Sequence, residues 1–345
     1  MKILYIGHNA PASTSYHRAQ ALERIGHTVD IINPYEVSER SHAVISKLHY
    51  LTGYRFLQSR MRKWVTKNVP NTPYDLVWVN SGELLGVNCV KFIKSRINRP
   101  VILYNNDDPT GGRDGKRFDT LLKTIPYYDM CVVMREINVA EYENLGAKRV
   151  IKSYMSYDEV IHAPLNESDI PDKFRSEVSF IGTNIPNENR DVFIHKLIKK
   201  GVPISIWGGR WDRSPYWKEL KPFFRGPSLK GKEYTAAIQG AKICLGLLSK
   251  GNRDLYTRRS FEIPYVGSLF CAERTEEHLA LFKENVEAIF WKDADECADK
   301  CIELLNNEKL LNQIAEQGRA RVLNDKRGNE DIANYILDQV RKQLK

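Results

Sequence analysis

The feature that most constrains the fold is an alternation running the length of the chain. Short apolar runs that end in glycine or polar residues give way to segments with apolar residues at helical spacing. Lys2–Ile6, Thr28–Ile32, Leu76–Val79, Val101–Tyr104, Met130–Met134 and Val150–Ile151 read as one series of strands. Val178–Ile181, Ile204–Trp207, Ile243–Leu247, Leu269–Cys271 and Ala288–Trp291 read as a second. Between them, Ser13 to Ile25, Val87–Ile97, Asp191–Lys200, Lys232–Gln239, Thr257–Ile263 and the stretches 294–306, 308–322 and 329–344 carry the helical period. Strands separated by helices pair in parallel through right-handed crossovers.

Between Tyr154 and Glu177 the pattern dissolves into polar residues with Pro164 and Pro171, which suits a boundary between domains. The expectation is an α/β chain of two Rossmann-like doubly wound domains facing a cleft, spanning 1–160 and 173–328. Such sheets bind ligands beyond the carboxyl ends of their strands. The segments to watch are therefore Gly7–Arg18, Asn80–Glu83, Asn105–Arg117 and Arg135–Glu136.

Composition excludes several classes. Of 345 residues, 42% are apolar and 28% charged, the balance of a globular protein rather than a disordered or collagen-like one. No apolar stretch is long enough to span a bilayer as a helix. The first residues turn polar too soon for a secretory signal, so the expected location is the cytoplasm. The six cysteines then read as reduced thiols. Cys297 and Cys301 would share a helix face, but two thiols do not make a four-ligand zinc site, and packing is the expected role. No strict G-x-G-x-x-G or Walker loop is present, which disfavours a nicotinamide cofactor or a simple ATPase.

Loops rich in Gly, Asn, Arg and carboxylate at strand ends remain. They suit a ligand with a diphosphate and sugar hydroxyls, because helix starts and Arg forks hold phosphates while carboxylates accept from hydroxyls. The stretch from Asp254 to Leu269 is the most informative. Its Arg259, Phe261, Glu262, Ile263 and Gly267 match the R-x-F-E-I…G pattern of the CgeB-like group of spore-protein glycosyltransferases, and the chain resembles that group and, more widely, retaining glycosyltransferases of the two-Rossmann (GT-B) fold. Further matches are Ser179-Phe180-Ile181-Gly182-Thr183-Asn184 with Arg190, Ile206 through Trp211, Gly226 through Tyr234, Asn106-Asp107-Asp108-Pro109, and Tyr16 to Leu22 with Gly26-His27. The wider group carries two acidic residues separated by seven others. Asp254 and Glu262 have that spacing, with Asp in place of the usual first Glu.

The resemblance implies a glycosyltransferase whose co-substrate is a nucleotide sugar, with a UDP-sugar expected, retention of configuration, and neither a cofactor nor a catalytic metal. It implies an N-terminal acceptor domain and a C-terminal donor domain, with the last helix, 329–345, packing back on the first. Glu262 would accept hydrogen bonds from ribose hydroxyls, and Asp254 would lie near the donor sugar. Arg258 or Arg259, with the Gly182, Thr183 and Asn184 turn, would neutralise the diphosphate. Arg190, Gly208, Arg210, Tyr256 and Thr257 complete the expected donor site. An ion pair of Glu262 with Arg190 or Arg210 is the competing, purely structural reading. In the first domain Asp107 and Asp108 follow a strand, and Asp108 is the expected base for the attacking hydroxyl. Turn formation before Pro109 is the alternative. His17 and Arg18 are expected at the cleft.

The acceptor is less constrained. Net charge is +9, and between Ser41 and Tyr74 the cations Lys47, Arg55, Arg60, Arg62, Lys63 and Lys67 face no acid. Tyr50, Tyr54, Phe56 and Trp64 interleave with them. A solvated helix face is one reading. A polyanionic acceptor, DNA with hydroxylated bases above all, is another, with Arg60, Arg62 and Lys63 as contacts. Docking on an anionic membrane to reach a lipid-linked glycan is a third, and a protein acceptor a fourth. A non-catalytic DNA-binding protein and a sugar epimerase are rivals on the same fold.

Overall fold

The computed structural model describes residues 1–39 and 42–343. Ser41 of the basic stretch and the last two residues of the expected C-terminal helix lie outside them. The chain forms two units. The first takes in Met1–Met155, Gly251–Arg253 and the chain from Asn329 onward, and the second takes in Ser156–Lys250 and Asp254–Gly328.

The first unit holds β1 (Lys2–Ile6), β2 (Thr28–Ile32), β3 (Leu76–Asn80), β4 (Val101–Tyr104), β5 (Met130–Val133) and β6 (Val150–Lys152). They form one parallel sheet in the order β2-β1-β3-β4-β5-β6. The central strands are apolar throughout because helices cover both faces: all five residues of β3 are buried. The helix Thr14–Arg24 begins where Ser13 accepts a hydrogen bond from the Tyr16 amide. The last helix, Asn329–Gln343, belongs to this unit, and Arg24 pairs with its Glu330 at 2.5 Å. It buries Ile336 and Val340, whereas Tyr335 is 42% exposed and only its hydroxyl reaches back, toward the Lys152 carbonyl.

The second unit holds β7 (Ser176–Ile181), β8 (Ile204–Trp207), β9 (Phe224–Gly226), β10 (Ala241–Gly246), β11 (Leu269–Glu273) and β12 (Ile289–Trp291). They form a second parallel sheet in the order β12-β11-β10-β7-β8-β9. Both sheets turn back beside their first strand, β1 in one and β7 in the other. The crevice at that reversal opens at the strands' carboxyl ends.

Two details differ from the sequence reading. The polar stretch after Tyr154, read as the boundary between domains, belongs to the second unit from Ser156 onward. Gln239 bonds both the amide and the carbonyl of Leu165, and Thr235 donates to the Ile161 carbonyl, so the segment from Ser156 is stitched to the second unit. Cys297 and Cys301 also have a third neighbour, because β11 places Cys271 against them. The three sulfurs lie within 4.8 Å of one another, all buried. Among the described residues no fourth ligand joins the group.

Candidate functional site

In the second unit the site is built at the carboxyl ends of β7, β8 and β10. The turn after β7 is laced to the turn after β8. The Gly182 amide donates to the Trp207 carbonyl at 2.8 Å, the Asn184 amide to Gly209 at 3.0 Å, and the Trp211 indole to the Gly182 carbonyl at 2.9 Å. The turns approach so closely that Gly208 is required. Its φ is +139°, and a Cβ there would sit 2.0 Å from the Gly182 oxygen. Arg210 follows in the left-handed region. Two of the three amides expected to cradle phosphate, those of Gly182 and Asn184, are therefore spent on this lacing.

Arg190 is also spent internally. Its Nη1 donates to the Thr183 carbonyl, its Nη2 donates to Leu248, and it pairs with Glu188 at 2.8 Å. Burial pulls its pKa below the ordinary value. Arg190 thus orders the loops, and the ion pair with Glu262 is not formed.

Glu262 lies in the helix Arg259–Val266 and is only 2% exposed. Its Oε2 accepts from the Tyr234 hydroxyl at 2.6 Å, while Oε1 faces His162 Nε2 and Arg258 Nη1, each at 3.8 Å. Burial pushes its carboxyl up, but Arg258, His162, Arg259 and the Tyr234 hydroxyl outweigh that and hold it below the ordinary range. Glu262 is an ionised, buried acceptor. The Asp158 amide donates to His162 Nδ1, so the neutral ring carries its proton on Nε2, toward Glu262. Neither His162 nor Tyr234 was given a site role from sequence: His162 sits in the stretch read as the domain boundary, and Tyr234 only ends the matched stretch from Gly226.

The two arginines divide their work. Arg259 donates from Nε to the Ile181 carbonyl at 3.0 Å, tying its helix to β7. Arg258, at the helix start, is partly exposed, and among the described residues its one ion pair is the 3.8 Å pairing with Glu262. Beneath them the Thr257 amide donates to Ser260 Oγ at 3.1 Å, and Ser260 lies 2.9 Å from His278 Nε2. His278 Nδ1 lies 2.7 Å from the Glu273 carbonyl. A carbonyl only accepts, so Nδ1 carries the proton and Ser260 donates to Nε2. Asp254 and Tyr256 are buried just before this helix, with Tyr256 edge-on to Phe261.

A cavity of about 290 Å³ lies beside this loop system, lined by Glu188, Arg190, Leu248, Glu273 and Trp291. Another, of about 700 Å³, opens at the opposite, amino ends of the strands. Its Arg175 and Lys242 are already paired with Glu167 and Glu177, and sheets of this kind do not bind there.

In the first unit the strand ends carry a denser charge network. Both oxygens of Asp108 are taken by Arg253, from Nε and Nη2 at 2.6 Å each, and Asn138 adds a bond at 2.8 Å. The Asp108 side chain is fully buried. Burial raises its pKa, but Arg253 and Asn138 more than compensate and the carboxyl stays low. The expectation that Asp108 acts as the base does not fit: a carboxylate locked in a bidentate pair is a poor proton acceptor. Asp107, 32% exposed and 3.6 Å from Arg117, is the accessible member of the pair. Arg18 is buried, bonded to Asn80 and laid over the Tyr104 ring at 4.4 Å, and His17 Nε2 donates to the Pro11 carbonyl. His17 braces the loop after β1, and Arg18 ties its helix to the end of β3. Glu83 ends the flagged segment Asn80–Glu83 but was given no role of its own. It is 4% exposed, bonded to Arg117 at 2.7 Å and to Tyr35, and burial raises its pKa. Arg60, Arg62 and Lys63 stand exposed on the helix Gln58–Asn68, which buries Met61 and Val65.

Residues 190–338 match a family model described as glycosyl transferase-like. Among curated proteins no sequence matches the chain. Solved structures share its fold from end to end. Anabaena HepE in complex with UDP-glucose superposes with a TM-score of 0.70 at 12% identity, covering 99% of this chain and 100% of that one. Sucrose-phosphate synthase from Thermosynechococcus elongatus gives 0.67 at 13% identity over 99% and 98%. A UDP-N-acetylglucosamine 2-epimerase described from Listeria monocytogenes gives 0.57 at 10% identity over 100% and 97%. Two parallel six-stranded sheets in this order give the chain the GT-B fold of these structures, and the glycosyl transferase-like match falls on residues 190–338, most of the second unit.

Proposed function

We propose that the second unit binds a UDP-sugar and that the chain transfers its sugar to a hydroxyl acceptor with retention of configuration. The observation that carries this reading is Glu262, an ionised carboxylate buried between Tyr234, His162 and Arg258 beside the carboxyl end of β10. A ribose offers two adjacent hydroxyl donors, and such a carboxylate accepts them. Arg258, the less committed arginine, meets the diphosphate at the helix start. In the transfer the bond from C1 to the diphosphate breaks, a bond from C1 to the acceptor oxygen forms, and the acceptor hydroxyl loses its proton. Charge develops on the leaving diphosphate, which Arg258 stabilises. Asp254 lies by the sugar, and Asp107 is the carboxylate assigned to the acceptor's proton. UDP in the neighbouring structure's complex supports the donor class, and the Arg259-to-Gly267 pattern supports kinship with the CgeB-like group.

The test is donor binding. UDP-glucose and related UDP-sugars should raise the melting temperature, and Glu262→Gln should weaken binding about 10- to 150-fold, the worth of a hydrogen bond to a charged group of roughly 1.5–3 kcal/mol. No stabilisation by any UDP-sugar, or equal affinity in the variant, refutes the site. UDP release that depends on an added acceptor separates transfer from epimerisation. DNA with hydroxylated bases remains the acceptor suggested by the exposed Arg60, Arg62 and Lys63, but the surface beside them points elsewhere.

A further inference from the structure

We propose that the helix Ala43–Leu51, with the following turn to Phe56, docks the protein on an anionic lipid bilayer. The helix is amphipathic in the inverse sense. Val44, Leu48 and Leu51 lie on one face with Ile45 at its edge, and that face points to solvent, with exposures of 80%, 52%, 55% and 43% respectively. Phe56, at 60%, extends the patch. The face turned toward the protein is the polar one. His49 is buried, and Tyr50 donates its hydroxyl to Asp114 at 3.0 Å beside Arg117. A surface helix of a globular protein has the opposite polarity, its apolar stripe inward.

Five large apolar side chains gathered at the surface mark a binding face. The charges around them choose the occupant. Lys47 and Arg55 are exposed within the patch region, and Arg60, Arg62, Lys63 and Lys67 on the next helix. No acid occurs from Ser41 to Tyr74. Apolar side chains entering the acyl boundary with cations at the headgroup phosphates is the arrangement of an interfacial helix. Duplex DNA would satisfy the cations and leave Val44, Ile45, Leu48 and Leu51 against water. A second copy meeting this face about a two-fold axis would set the same cations against themselves.

The experiment uses the full chain with phosphatidylcholine vesicles, with and without phosphatidylglycerol, in a co-sedimentation assay at two salt concentrations. Binding to the anionic vesicles is expected, weakening with salt, and little binding to the neutral ones. The surface variant Val44→Ser, Leu48→Ser, Leu51→Ser should lose roughly tenfold or more in vesicle affinity while its melting temperature and its stabilisation by UDP-glucose stay unchanged. Arg60→Ala, Arg62→Ala, Lys63→Ala should lose roughly a hundredfold, at about fivefold per cation near the surface. No preference for anionic vesicles overturns the proposal. So does full vesicle affinity in the serine variant, a self-association that this variant abolishes, or duplex-DNA binding that needs the cations but not the apolar residues. Because the donor assay is read separately, failure here leaves the proposed transfer untouched.

Discussion

Lowering the pH should undermine the donor-site helix through one buried histidine. His278 has no exposure, stacks on Phe290 with ring centroids 5.3 Å apart, and meets the edge of Phe270. Burial among these rings lowers its pKa to about 4, against the single opposing pull of the Glu273 carbonyl. The unfolded chain restores an ordinary histidine near 6.5. Between these values the unfolded state binds more protons than the folded one, so stability rises with pH across that window. The neutral ring's contribution is complete above about 6.5 and lost progressively as pH falls toward 4. A histidine lowered from 6.5 to about 4 contributes roughly 3 kcal/mol. Protonation also puts a donor on Nε2 facing the Ser260 hydroxyl, which then no longer donates there.

The assay is urea unfolding followed by tryptophan fluorescence at several pH values between 4 and 7.5. Trp207, Trp211, Trp217 and Trp291 report the second unit. His278→Gln removes the titration while keeping a donor and an acceptor. The difference in stability between parent and variant should therefore change by roughly 3 kcal/mol across the window, favouring the variant toward low pH. Carboxylates with lowered pKa, such as Glu262 and Glu296, lose their contribution at lower pH and cancel in the difference. A difference that stays flat with pH would refute the buried neutral ring. Parallel donor titrations should show UDP-glucose affinity falling over the same window in the parent only.

Three further outcomes follow from the geometry. Gly208→Ala should cost about 2–4 kcal/mol in unfolding free energy and weaken donor binding, since its Cβ would strike the Gly182 carbonyl at a backbone angle that side chains rarely adopt. Arg253→Ala should lower the melting temperature sharply, by the roughly 3–5 kcal/mol that accompanies an orphaned buried carboxylate, and Asp108→Asn together with it should recover part of the loss. Thiol reagents should leave all six cysteines unmodified in the native protein, because each is buried, and titrate six after denaturation.

Much of the architecture was legible because apolar run length and helical period are local properties. Eleven of the twelve strands lie within two residues of their expected bounds, Ser176–Ile181 among them, which begins two residues early with the half-buried Ser176 and Glu177. Phe224–Gly226 escaped because it is a three-residue, partly exposed edge strand with a register shift against β8, too short to show a period. The site was legible where a motif is contiguous, as with Glu262 and Arg258. It was not where partners are distant in the chain. Arg253 meets Asp108 across 145 positions and turns an expected base into an anchor. His162 and Tyr234 converge on Glu262 from 100 and 28 positions away, and neither carries a local signal that it faces a carboxylate.

The helix Ala43–Leu51 shows a different limit. The stretch 41–68 reads as helix with a break near Thr52-Gly53, and its cations mark a surface for a polyanion or anionic lipid. Periodicity, however, says only that one side of a helix is apolar. It is silent on which side faces the protein, and the usual inference supplies that answer by assuming that apolar means inward. Here the tertiary anchors decide. Tyr50 is committed to Asp114. Thr52 closes the helix on the carbonyls of Leu48 and His49, and Tyr54 follows in a left-handed turn whose amide bonds His49. These polar commitments fix the helix with His49 and Tyr50 inward, which forces Val44, Leu48 and Leu51 out. Keeping such a face soluble costs the chain apolar exposure that folding alone never repays. A partner that covers it recovers that cost, and among the surfaces that carry both acyl chains and phosphate, an anionic bilayer matches this side chain for side chain.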